Sequence, residues 1–478
     1  MSNISSYYWN DLKKEVPEWF RDAKFGLFFH WGPYSVPAFE NEWYSRNMYA
    51  KGLSQNLHHV KTYGPLNEFG YKEFYPMFKG EKFDPEEWAD LVVRSGAKYA
   101  GPVTEHADNF SMWNSKVNPV NCMNYGPKRD IVGECTKAFR RKGIKVLATF
   151  HHQWLWGWFM STDNEADVYV PENEVYYGKA LPLETNRYAP YRLPNDDFNI
   201  VWRNKVIEVI EKYNPDALYF DSRTNIIDER YRYEMVDYYY NISKHTDGII
   251  TYKQEDLPAD IGVYDIECGR FSEAKPFAWQ TDDRLEDNIT WCMVQNPKYK
   301  SGLKIIHQLC DVVAKNGNLL LNVGPYADGS FHEDAKKSLY EVGDWLKLNG
   351  EAIYETRPFL VACEGPTGVQ DDNYDINRIN DQLDKGLASD VRLTAFSSQD
   401  FRFTRKGDYV YAIALGWPED GKLKIRTFSK NGALQDIRKV TMLANDSLVP
   451  FIQTEDGLEL TLPEQKPCEA AFAFRIEV

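Results

Sequence analysis

The feature that most constrains the fold is a regular alternation between short apolar runs and amphipathic helix patterns. It covers residues 1–356 and includes eight candidate strands: Gly26–His30, Lys98–His106, Val146–His151, Ala217–Asp221, Gly248–Tyr252, Val263–Glu267, a weak one at Ala278–Thr281, and Leu319–Val323. Such an alternation is typical of parallel βα units. Eight strands is the number that closes into a parallel barrel, so we predict an α/β fold with a (β/α)8 TIM-like barrel over residues 1–356.

The helices between these strands have clear boundary signals. The segment from Asp84 to Gly96 begins with an aspartate suited to cap a helix, has Pro85 at the first helical position and ends on glycine. Further helix patterns cover Asp130–Gly143, Ile200–Tyr213, Gly302–Lys315 and Asp334–Leu348. Strands and helices therefore alternate as a βα barrel requires.

The pattern changes after Arg357-Pro358. Apolar and polar residues alternate in short runs separated by turn residues, at Val391–Ala395, Tyr409–Ala414, Lys422–Thr427, Leu458–Leu462 and Ala470–Ile476. This pattern is typical of antiparallel strands. We therefore predict a second domain over residues 357–478, a small C-terminal antiparallel β-sandwich.

Composition excludes several classes of protein. A formal net charge of −15 leaves no basic surplus to neutralise phosphates, which argues against a nucleic-acid partner. No apolar run approaches the ~20 residues of a membrane span, so no membrane partner is expected. The seven cysteines are scattered without a CxxC pair, which argues against a zinc ribbon. Aromatic residues reach 15%, more than a core usually needs, and favour an aromatic-lined cleft.

The first nine residues, MSNISSYYW, lack the basic and apolar regions of a signal peptide. As written, the chain is therefore predicted to be cytoplasmic. A signal peptide removed from the sequence would instead make it periplasmic or secreted. The sequence leaves a homo-oligomer open.

Polar residues recur at the C-terminal ends of the predicted strands: His30, Glu105, His106, His151, His152, Asp221, Lys253, Glu267 and Asn322. In a parallel barrel these ends form one ring around the mouth, where barrel enzymes keep their active sites. His30 is followed by Trp31, and Glu42 by Trp43. Such pairs suit a sugar, because aromatic rings cover C–H patches while imidazoles and carboxylates bind hydroxyls.

Two of the strand-end carboxylates suggest distinct catalytic roles. Asp221 ends a strand among apolar and aromatic neighbours and could act as a nucleophile toward an anomeric carbon. Glu267, in a less polar position, could have a raised pKa and act as a general acid. A separation of roughly 5–5.5 Å would indicate a retaining glycosidase, and one of roughly 6.5–9.5 Å an inverting one.

Other interpretations of these residues are open at this point. A strand-end aspartate is often a helix cap or an ion-pair partner, and His30 could be a buried core histidine. His151 and His152 could be metal ligands, but adjacent residues point to opposite sides of a strand. Neither an HxH nor an HExxH motif accompanies them. We therefore predict no metal site.

A long insertion follows the third predicted strand. It begins with Gln153-Trp-Leu-Trp-Gly-Trp-Phe159 and continues as a polar, Tyr-rich segment to about Asp197. A loop of this length inside a compact domain is usually functional. We expect its tryptophans either to shape substrate subsites or to pack on the barrel rim.

The chain resembles the retaining α-L-fucosidases of glycoside hydrolase family 29 across nearly its full length. The matching stretches are Trp19-Phe-Arg-Asp-Ala-Lys-Phe-Gly-Leu-Phe-Phe-His-Trp-Gly32, Ser35-Val-Pro, Glu42-Trp-Tyr, Phe83-Asp-Pro-Glu-Glu-Trp88, Ser95-Gly-Ala-Lys-Tyr99, Gly126-Pro-Lys-Arg-Asp130, Trp279-Gln-Thr281, Lys315-Asn-Gly-Asn-Leu-Leu-Leu-Asn-Val-Gly-Pro325, Asp328-Gly329, Asn349-Gly-Glu-Ala-Ile-Tyr354 and Thr356-Arg-Pro358. The resemblance implies a barrel followed by a β-sandwich, an oligosaccharide or glycoconjugate substrate, and neither a metal nor an organic cofactor.

The resemblance also implies roles for individual residues. Asp221 is the expected nucleophile and Glu267 the expected acid/base, with Glu286 as the alternative for that second role. Lys253 is expected to replace a basic residue near the nucleophile. The expected substrate-binding residues are His30, Trp31, Glu42, Trp43, His106, His151, Tyr219, Lys253 and Trp279.

The chain departs from the family pattern at one motif. Where the family commonly has Lys-His-His-Asp-Gly-Phe, this chain has Glu105-His-Ala107-Asp-Asn-Phe110. Ala107 removes an imidazole that would bind a sugar hydroxyl, and losing such a partner costs about 1–3 kcal/mol of discrimination. A relative of L-fucose, such as L-galactose, is therefore also considered as the substrate.

Two functions remain in competition. The first is a retaining, exo-acting α-L-fucosidase-like glycosidase that releases a terminal L-fucose or a closely related sugar through a covalent glycosyl-enzyme. The second is a carbohydrate-binding protein on the same scaffold, non-hydrolytic or altered in specificity, which Glu105 and Ala107 would favour. Turnover that is abolished by Asp221→Ala distinguishes them.

Overall fold

A closed barrel of eight parallel strands forms the first part of the molecule. The structure is a computed structural model that describes residues 7–181, 193–243, 247–367 and 395–478. The strands are β1 (Phe25–Phe29), β2 (Tyr99–Glu105), β3 (Lys145–Phe150), β4 (Ala217–Phe220), β5 (Ile249–Lys253), β6 (Val263–Asp265), β7 (Trp279–Arg284) and β8 (Gly317–Asn322). Each strand pairs with the next, and β8 returns to β1 with Leu319 opposite Phe25. The predicted barrel is confirmed, including the weak seventh strand.

Ten α-helices accompany the barrel within the described ranges: α1 (Glu18–Ala23), α2 (Tyr44–Asn47), α3 (Ser54–Thr62), α4 (Pro85–Ser95), α5 (Ile131–Arg141), α6 (Glu174–Tyr177), α7 (Asp196–Tyr213), α8 (Glu229–Asp237), α9 (Gly302–Ala314) and α10 (Glu333–Asn349). The Asp84 side chain accepts a hydrogen bond from the Glu86 amide, as the sequence predicts for a capping aspartate. Helix α7 begins earlier than predicted because Asn195 caps it by accepting from the Phe198 amide. Residues 254–262, which connect β5 to β6, and residues 266–278, which connect β6 to β7, contain no α-helix.

The barrel interior is packed with large side chains. Tyr99 from β2 crosses it and donates a hydrogen bond from its hydroxyl to Oε1 of Gln280 on β7, at 2.8 Å. Gly26 makes room for this ring, because a Cβ at that position would lie 2.5 Å from it. The interior is therefore filled, and the space for a ligand lies at the strand ends.

Two antiparallel sheets form the C-terminal part. Their strands are β9 (Arg357–Glu364), β10 (Phe401–Lys406), β11 (Tyr409–Ala414), β12 (Lys422–Ile425), β13 (Lys439–Met442), β14 (Ser447–Leu448), β15 (Phe451–Thr454), β16 (Gly457–Thr461) and β17 (Phe472–Glu477). One sheet has the order β14-β13-β17-β11-β10-β9 and the other β12-β16-β15. A common apolar core joins them, with Phe403 and Phe474 from the first sheet and Leu423 and Leu458 from the second.

The sequence prediction for this part was incomplete. Strands were found at β11, β12, β16 and β17, within one or two residues at each end. Strands β9, β10, β13, β14 and β15 were missed. Most of the predicted strand Val391–Ala395 lies outside the described residues.

The C-terminal sheets pack against the last two barrel helices. The Trp345 indole on α10 donates a 2.7 Å hydrogen bond to the carbonyl of Ala471. Arg402 on β10 forms a buried ion pair with Asp311 on α9, at 2.6 Å. Asp311 also pairs with Lys315 at 2.8 Å, so both carboxylate oxygens are satisfied.

None of the described helices is both long enough and apolar enough to cross a lipid bilayer.

Candidate active site

Three carboxylates from neighbouring strands converge on one lysine. Lys253 is the last residue of β5, and its Nζ lies 2.7 Å from Oε2 of Glu267. The same nitrogen lies 3.1 Å from Oδ1 of Asp221, just beyond β4, and 3.1 Å from Oδ2 of Asp282 on β7. Burial disfavours the ammonium, but these carboxylates raise the pKa of Lys253 well above its usual value. The lysine is therefore charged at neutral pH.

Asp221 and Glu267 are close to each other and accessible to a solute. Because one oxygen of each contacts the same Nζ, those two oxygens are at most 5.8 Å apart, the sum of the 3.1 Å and 2.7 Å contacts. Their side chains are 17% and 21% exposed, whereas that of Asp282 is 2% exposed. A ligand at the barrel mouth can therefore reach the first two carboxylates but not the third.

The backbone fixes the position of Glu267 beyond the end of β6. The Ile266 amide donates to the carbonyl of Gln280 at 2.9 Å, and the Cys268 amide donates to the carbonyl of Asp282 at 2.7 Å. Burial raises the pKa of Glu267 to about 7, although Lys253 acts in the opposite direction. Glu267 can therefore carry a proton near neutral pH, as a general acid must.

The main chain of Asp221 is equally well held. Its amide donates to the carbonyl of Phe150 on β3, at 3.0 Å. Its carbonyl accepts from Nε2 of Gln153, at 2.6 Å, and from the Thr224 hydroxyl, at 3.2 Å. Gln153 belongs to the long insertion, so the start of this insertion supports the carboxylate.

Three histidines occupy the ends of the first three strands. His30 and His151 directly follow β1 and β3, and His106 directly follows β2. Their ring centroids are 5.6 Å apart for His30 and His106, 5.1 Å for His30 and His151, and 5.0 Å for His106 and His151. Burial lowers the pKa of His30 to about 4 and those of the other two well below the usual value. The three rings are therefore neutral at physiological pH.

The hydrogen bonds of Asn322 determine the tautomer of His30. The Asn322 amide nitrogen donates to the carbonyl of Trp291, at 2.5 Å, and its Oδ1 accepts from the backbone amide of His30, at 3.1 Å. Oδ1 also lies 2.7 Å from Nδ1 of His30, which must then be the donor. The lone pair of His30 is therefore on Nε2.

Trp291 and Glu42 close one side of the mouth. The Trp291 ring centroid lies 5.5 Å from that of His30 and 5.9 Å from that of Phe28. The Trp291 amide donates to Oε2 of Glu42 at 2.9 Å. Burial raises the pKa of the Glu42 carboxyl. Glu42 is thus held at Trp291, whose ring packs on that of His30.

Tryptophans of the insertion form another side. Trp43 packs against Trp154 and Trp158, with ring centroids 5.5 and 4.8 Å away. The Trp158 ring in turn lies 6.1 Å from that of His106. Trp154 and Trp158 of the insertion therefore pack on the barrel rim, and Trp158 also borders His106.

Tyr219 connects the histidines to the charged residues. Its ring lies 5.8 Å from that of His151, and Nζ of Lys253 lies 5.6 Å from its centroid. Its hydroxyl donates to Oδ2 of Asp282 at 3.1 Å. Tyr219 therefore lies between the two groups.

Two of the expected substrate-binding tryptophans lie elsewhere. Trp31 is fully buried among Phe78, Phe83 and Trp88, and its indole donates to the carbonyl of Tyr326. Trp279 is the first residue of β7, so it lies at the opposite end of the strand from the mouth. Its indole donates to the carbonyl of Lys315. Both positions correspond to packing and do not support the expected contact with a substrate.

Glu286 is also separated from the carboxylate cluster. Its Oε1 accepts from the Gly324 amide at 2.9 Å, and its side chain is buried. Burial raises its pKa to about 7, as it does for Glu267. Only Glu267, however, contacts Lys253 together with Asp221. Of the two glutamates, Glu267 is therefore the one that lies beside Asp221.

Sequence reasoning missed Asp282 and Trp291. Asp282 lies in the run Trp279-Gln-Thr-Asp-Asp-Arg284, which has too many polar residues to look like a strand interior. Trp291 follows no motif and lies in an irregular segment. The available signal for Asp282 was its position directly after the predicted strand Ala278–Thr281.

The unusual Glu105 is neutralised inside the protein. Its Oε1 lies 2.5 Å from Nζ of Lys205 on α7, and both side chains are buried. Its other oxygen accepts from the Ser111 hydroxyl. Ala107 is buried in the main apolar cluster. The negative charge of Glu105 is therefore compensated by Lys205 in the protein interior. The altered motif is thus expected to affect the mouth mainly because Ala107 lacks an imidazole.

This arrangement defines a class of protein. A parallel barrel with two accessible carboxylates at its mouth, beside buried imidazoles and tryptophans, is typical of a barrel glycoside hydrolase. A family model described as alpha-L-fucosidase matches residues 3–351, and one described as alpha-L-fucosidase C-terminal domain matches residues 395–477. The chain belongs to the α-L-fucosidase family.

Individual relatives agree with this family. The tissue alpha-L-fucosidase of Rattus norvegicus is 28% identical over 470 residues, covering 96% of this chain and 88% of that protein. The human tissue enzyme is 28% identical, covering 98% and 91%. A crystal structure of Thermotoga maritima alpha-fucosidase with a mechanism-based inhibitor is 27% identical, with a TM-score of 0.76 and coverage of 98% and 99%. A structure of the same enzyme with fucose has a TM-score of 0.71.

Proposed function

We propose that this protein is a retaining, exo-acting α-L-fucosidase in which Asp221 is the nucleophile and Glu267 the acid/base. The observation that supports the pairing is the contact of both carboxylates with Lys253. Their contacting oxygens are at most 5.8 Å apart. This upper limit includes the roughly 5–5.5 Å typical of retaining enzymes and lies below the roughly 6.5–9.5 Å of inverting ones.

In the first step, a carboxylate oxygen of Asp221 attacks C1 of the sugar. The glycosidic C–O bond breaks, and the proton of Glu267 goes to the leaving oxygen. The product is a covalent glycosyl ester on Asp221 and a free aglycone. The raised pKa of Glu267, about 7, makes this proton available near neutral pH.

In the second step, the Glu267 carboxylate removes a proton from a water molecule. The water oxygen attacks C1, and the ester bond to Asp221 breaks. The sugar leaves with its original anomeric configuration, and both carboxyl groups return to their starting states. The ammonium of Lys253, between them, balances the negative charge that moves from Asp221 to Glu267 and back.

The remaining mouth residues suit a terminal sugar. His30, His106 and His151 are buried and neutral, so they can bind hydroxyls without attracting counter-ions. Trp291 and Trp158 provide apolar surface for C–H faces. Glu42 accepts a backbone hydrogen bond with one oxygen and has a second for a hydroxyl. The substrate is therefore expected to be an oligosaccharide or glycoconjugate that ends in L-fucose or a closely related sugar.

Release of 4-nitrophenol from an aryl α-L-fucoside, beside other aryl glycosides, tests the proposal. We expect turnover of the fucoside and a loss on the order of 10⁴-fold or more in Asp221→Ala. Asp228→Asn is the matched control, because this exposed residue caps α8 and asparagine caps equally well. NMR detection of the first sugar anomer tests retention.

Activity on another glycoside alone would show that the missing imidazole at position 107 has changed the substrate. Inactivity on the whole panel, together with binding of free L-fucose, would support the carbohydrate-binding alternative. Full activity of Asp221→Ala would contradict the assignment of the nucleophile.

A further inference from the structure

The three histidines at the mouth form a group with the spacing of a metal site. They come from three different strand ends, and one ligand nitrogen from each lies within 4.8 Å of the other two. Their ring centroids are 5.0–5.6 Å apart. With Zn–N distances of about 2.0–2.1 Å and tetrahedral angles, three imidazole rings on one ion lie about 5 Å apart. The observed ring separations match this value.

The nitrogens of this group are available for coordination. Nε2 of His30 carries the lone pair, because Nδ1 donates to Asn322. Nδ1 of His106 and Nδ1 of His151 are buried and have no hydrogen-bond partner within the described residues. Buried imidazole nitrogens without partners are uncommon in proteins and indicate a site that a ligand completes.

The surroundings of His30 also suit a metal ligand. The carboxylates of Asp221 and Asp282 favour positive charge at His30, whereas Lys253 opposes it there and at His151. The bond from His30 to Asn322 orients the ring, as partners of metal-bound histidines do.

We propose that the sugar-free protein binds one divalent transition-metal ion, with Zn²⁺ as the reference ion, through His30, His106 and His151. A water molecule fills the fourth position, as in other three-ligand zinc sites. Because the same imidazoles serve the sugar hydroxyls, ion and sugar exclude each other, and the ion is an inhibitor of the hydrolase and not a cofactor. This last point rests on the proposed function, whereas the binding of the ion does not.

The ligand type determines which ions compete. Imidazole nitrogens suit Zn²⁺, Ni²⁺, Co²⁺ and Cu²⁺, whereas Mg²⁺ and Ca²⁺ prefer oxygen ligands. Little in the sequence indicates this site, because the three histidines are separated by 76 and 45 residues and form no local motif. Only the closure of the barrel brings them together.

Calorimetric titration of metal-free protein with ZnCl₂ tests the proposal directly. We expect a 1:1 stoichiometry in the wild type and affinity lowered at least about tenfold in both His106→Gln and His151→Gln. His152→Gln is the matched control, since His152 is adjacent in sequence but its Nε2 contacts the Trp202 carbonyl outside the cluster. Thermal unfolding by circular dichroism verifies that each variant is folded. Visible absorption of the Co²⁺ complex reports tetrahedral nitrogen coordination.

Free L-fucose added to the protein in the calorimeter should weaken Zn²⁺ binding to the wild type. Titration with MgCl₂ should show no binding of Mg²⁺. Absence of Zn²⁺ binding up to millimolar concentration, or binding that persists in both cluster variants, would overturn the proposal. Zn²⁺ binding that L-fucose leaves unchanged would overturn the shared site. Because none of these measurements uses turnover, a failure of the proposed hydrolase activity would be recognised separately.

Discussion

The two halves of the barrel mouth both bury titratable side chains, but one half holds them neutral and the other holds them beside opposite charges. The ends of β1–β3 carry histidines, and those of β4–β7 carry Asp221, Lys253, Glu267 and Asp282. Both groups are mostly shielded from water. An imidazole can lose its proton and become neutral, and burial indeed lowers the pKa of all three histidines. In the other half, Lys253 keeps its charge although it is buried, because three carboxylates at 2.7–3.1 Å raise its pKa well above its usual value.

This difference separates binding from chemistry. The neutral half can hold hydroxyls with a strength that does not depend on pH in the physiological range. In the proposed mechanism, the charged half contains the groups that exchange protons and carry the covalent bond. Changes in the charged half should therefore affect turnover and its pH dependence, whereas changes in the histidine half should affect affinity.

After the loss expected for Asp221→Ala, the largest effect is expected at Glu267. Replacement by glutamine removes the transferable proton and should lower kcat by about 10²–10⁴-fold. The loss should be larger for substrates with poor leaving groups, because an aryl group such as 4-nitrophenol needs little protonation. Steady-state kinetics on aryl and disaccharide substrates measure both effects.

Glu286→Gln is the matched control for Glu267→Gln. Both glutamates are buried and both have a pKa raised to about 7, so a pH profile alone does not distinguish them. Glutamine at position 286 retains an oxygen for the Gly324 amide, and activity should stay within a few-fold of the wild type. The opposite result, a large loss at position 286 and a small one at 267, would reverse the assignment.

A smaller effect, on pH dependence, is expected at Lys253. Its ammonium lowers the pKa of Glu267, so its removal in Lys253→Met should raise that pKa. The protonated acid then persists to higher pH, and the alkaline limb of kcat/KM should move upward by about 1–3 pH units. Lys253→Arg keeps the charge and should leave the limb near its wild-type position. A limb that stays fixed in Lys253→Met would show that another group controls it.

The smallest effect is expected in the histidine half. Replacing His106 with glutamine should remove a hydrogen bond to a sugar hydroxyl, worth about 1–3 kcal/mol, and raise KM about 5–150-fold with a smaller change in kcat. Since the pKa of His30 is lowered to about 4 and that of His106 is also lowered, wild-type KM should be constant between pH 5.5 and 8. A KM that rises as pH falls below 6.5 would mean that the histidines titrate there.

Sequence reasoning performed best where local patterns are strong. Helix α4 was predicted within one residue at each end, because Asp84, Pro85 and Gly96 are all local signals. It performed less well at β7, where Asp282, Asp283 and Arg284 conceal a strand that is nevertheless buried. Those charges are satisfied by partners distant in sequence, such as Lys253 for Asp282 and Lys300 for Asp283. No local pattern contains such partners.

The candidate site shows the same division. His30, His106, His151, Asp221, Lys253 and Glu267 were all identified as polar residues at strand ends, and the structure brings them to one mouth. Trp31 was expected at the mouth because it follows His30, and Trp279 because of the family resemblance. Trp31 instead packs on aromatic residues from other segments, and Trp279 begins β7 at the end opposite the mouth.

The sequence by itself determined the eight-strand barrel, the antiparallel C-terminal strands it could detect, the family and the strand-end residues at the mouth. Periodicity, capping residues and turn residues are local properties, and they are read directly from the chain. The tertiary structure alone decided which carboxylates share Lys253, the tautomer of His30, the pairing of Glu105 with Lys205 and the convergence of three histidines. These features depend on distances of a few ångströms between residues far apart in sequence, and only closure of the barrel sets those distances.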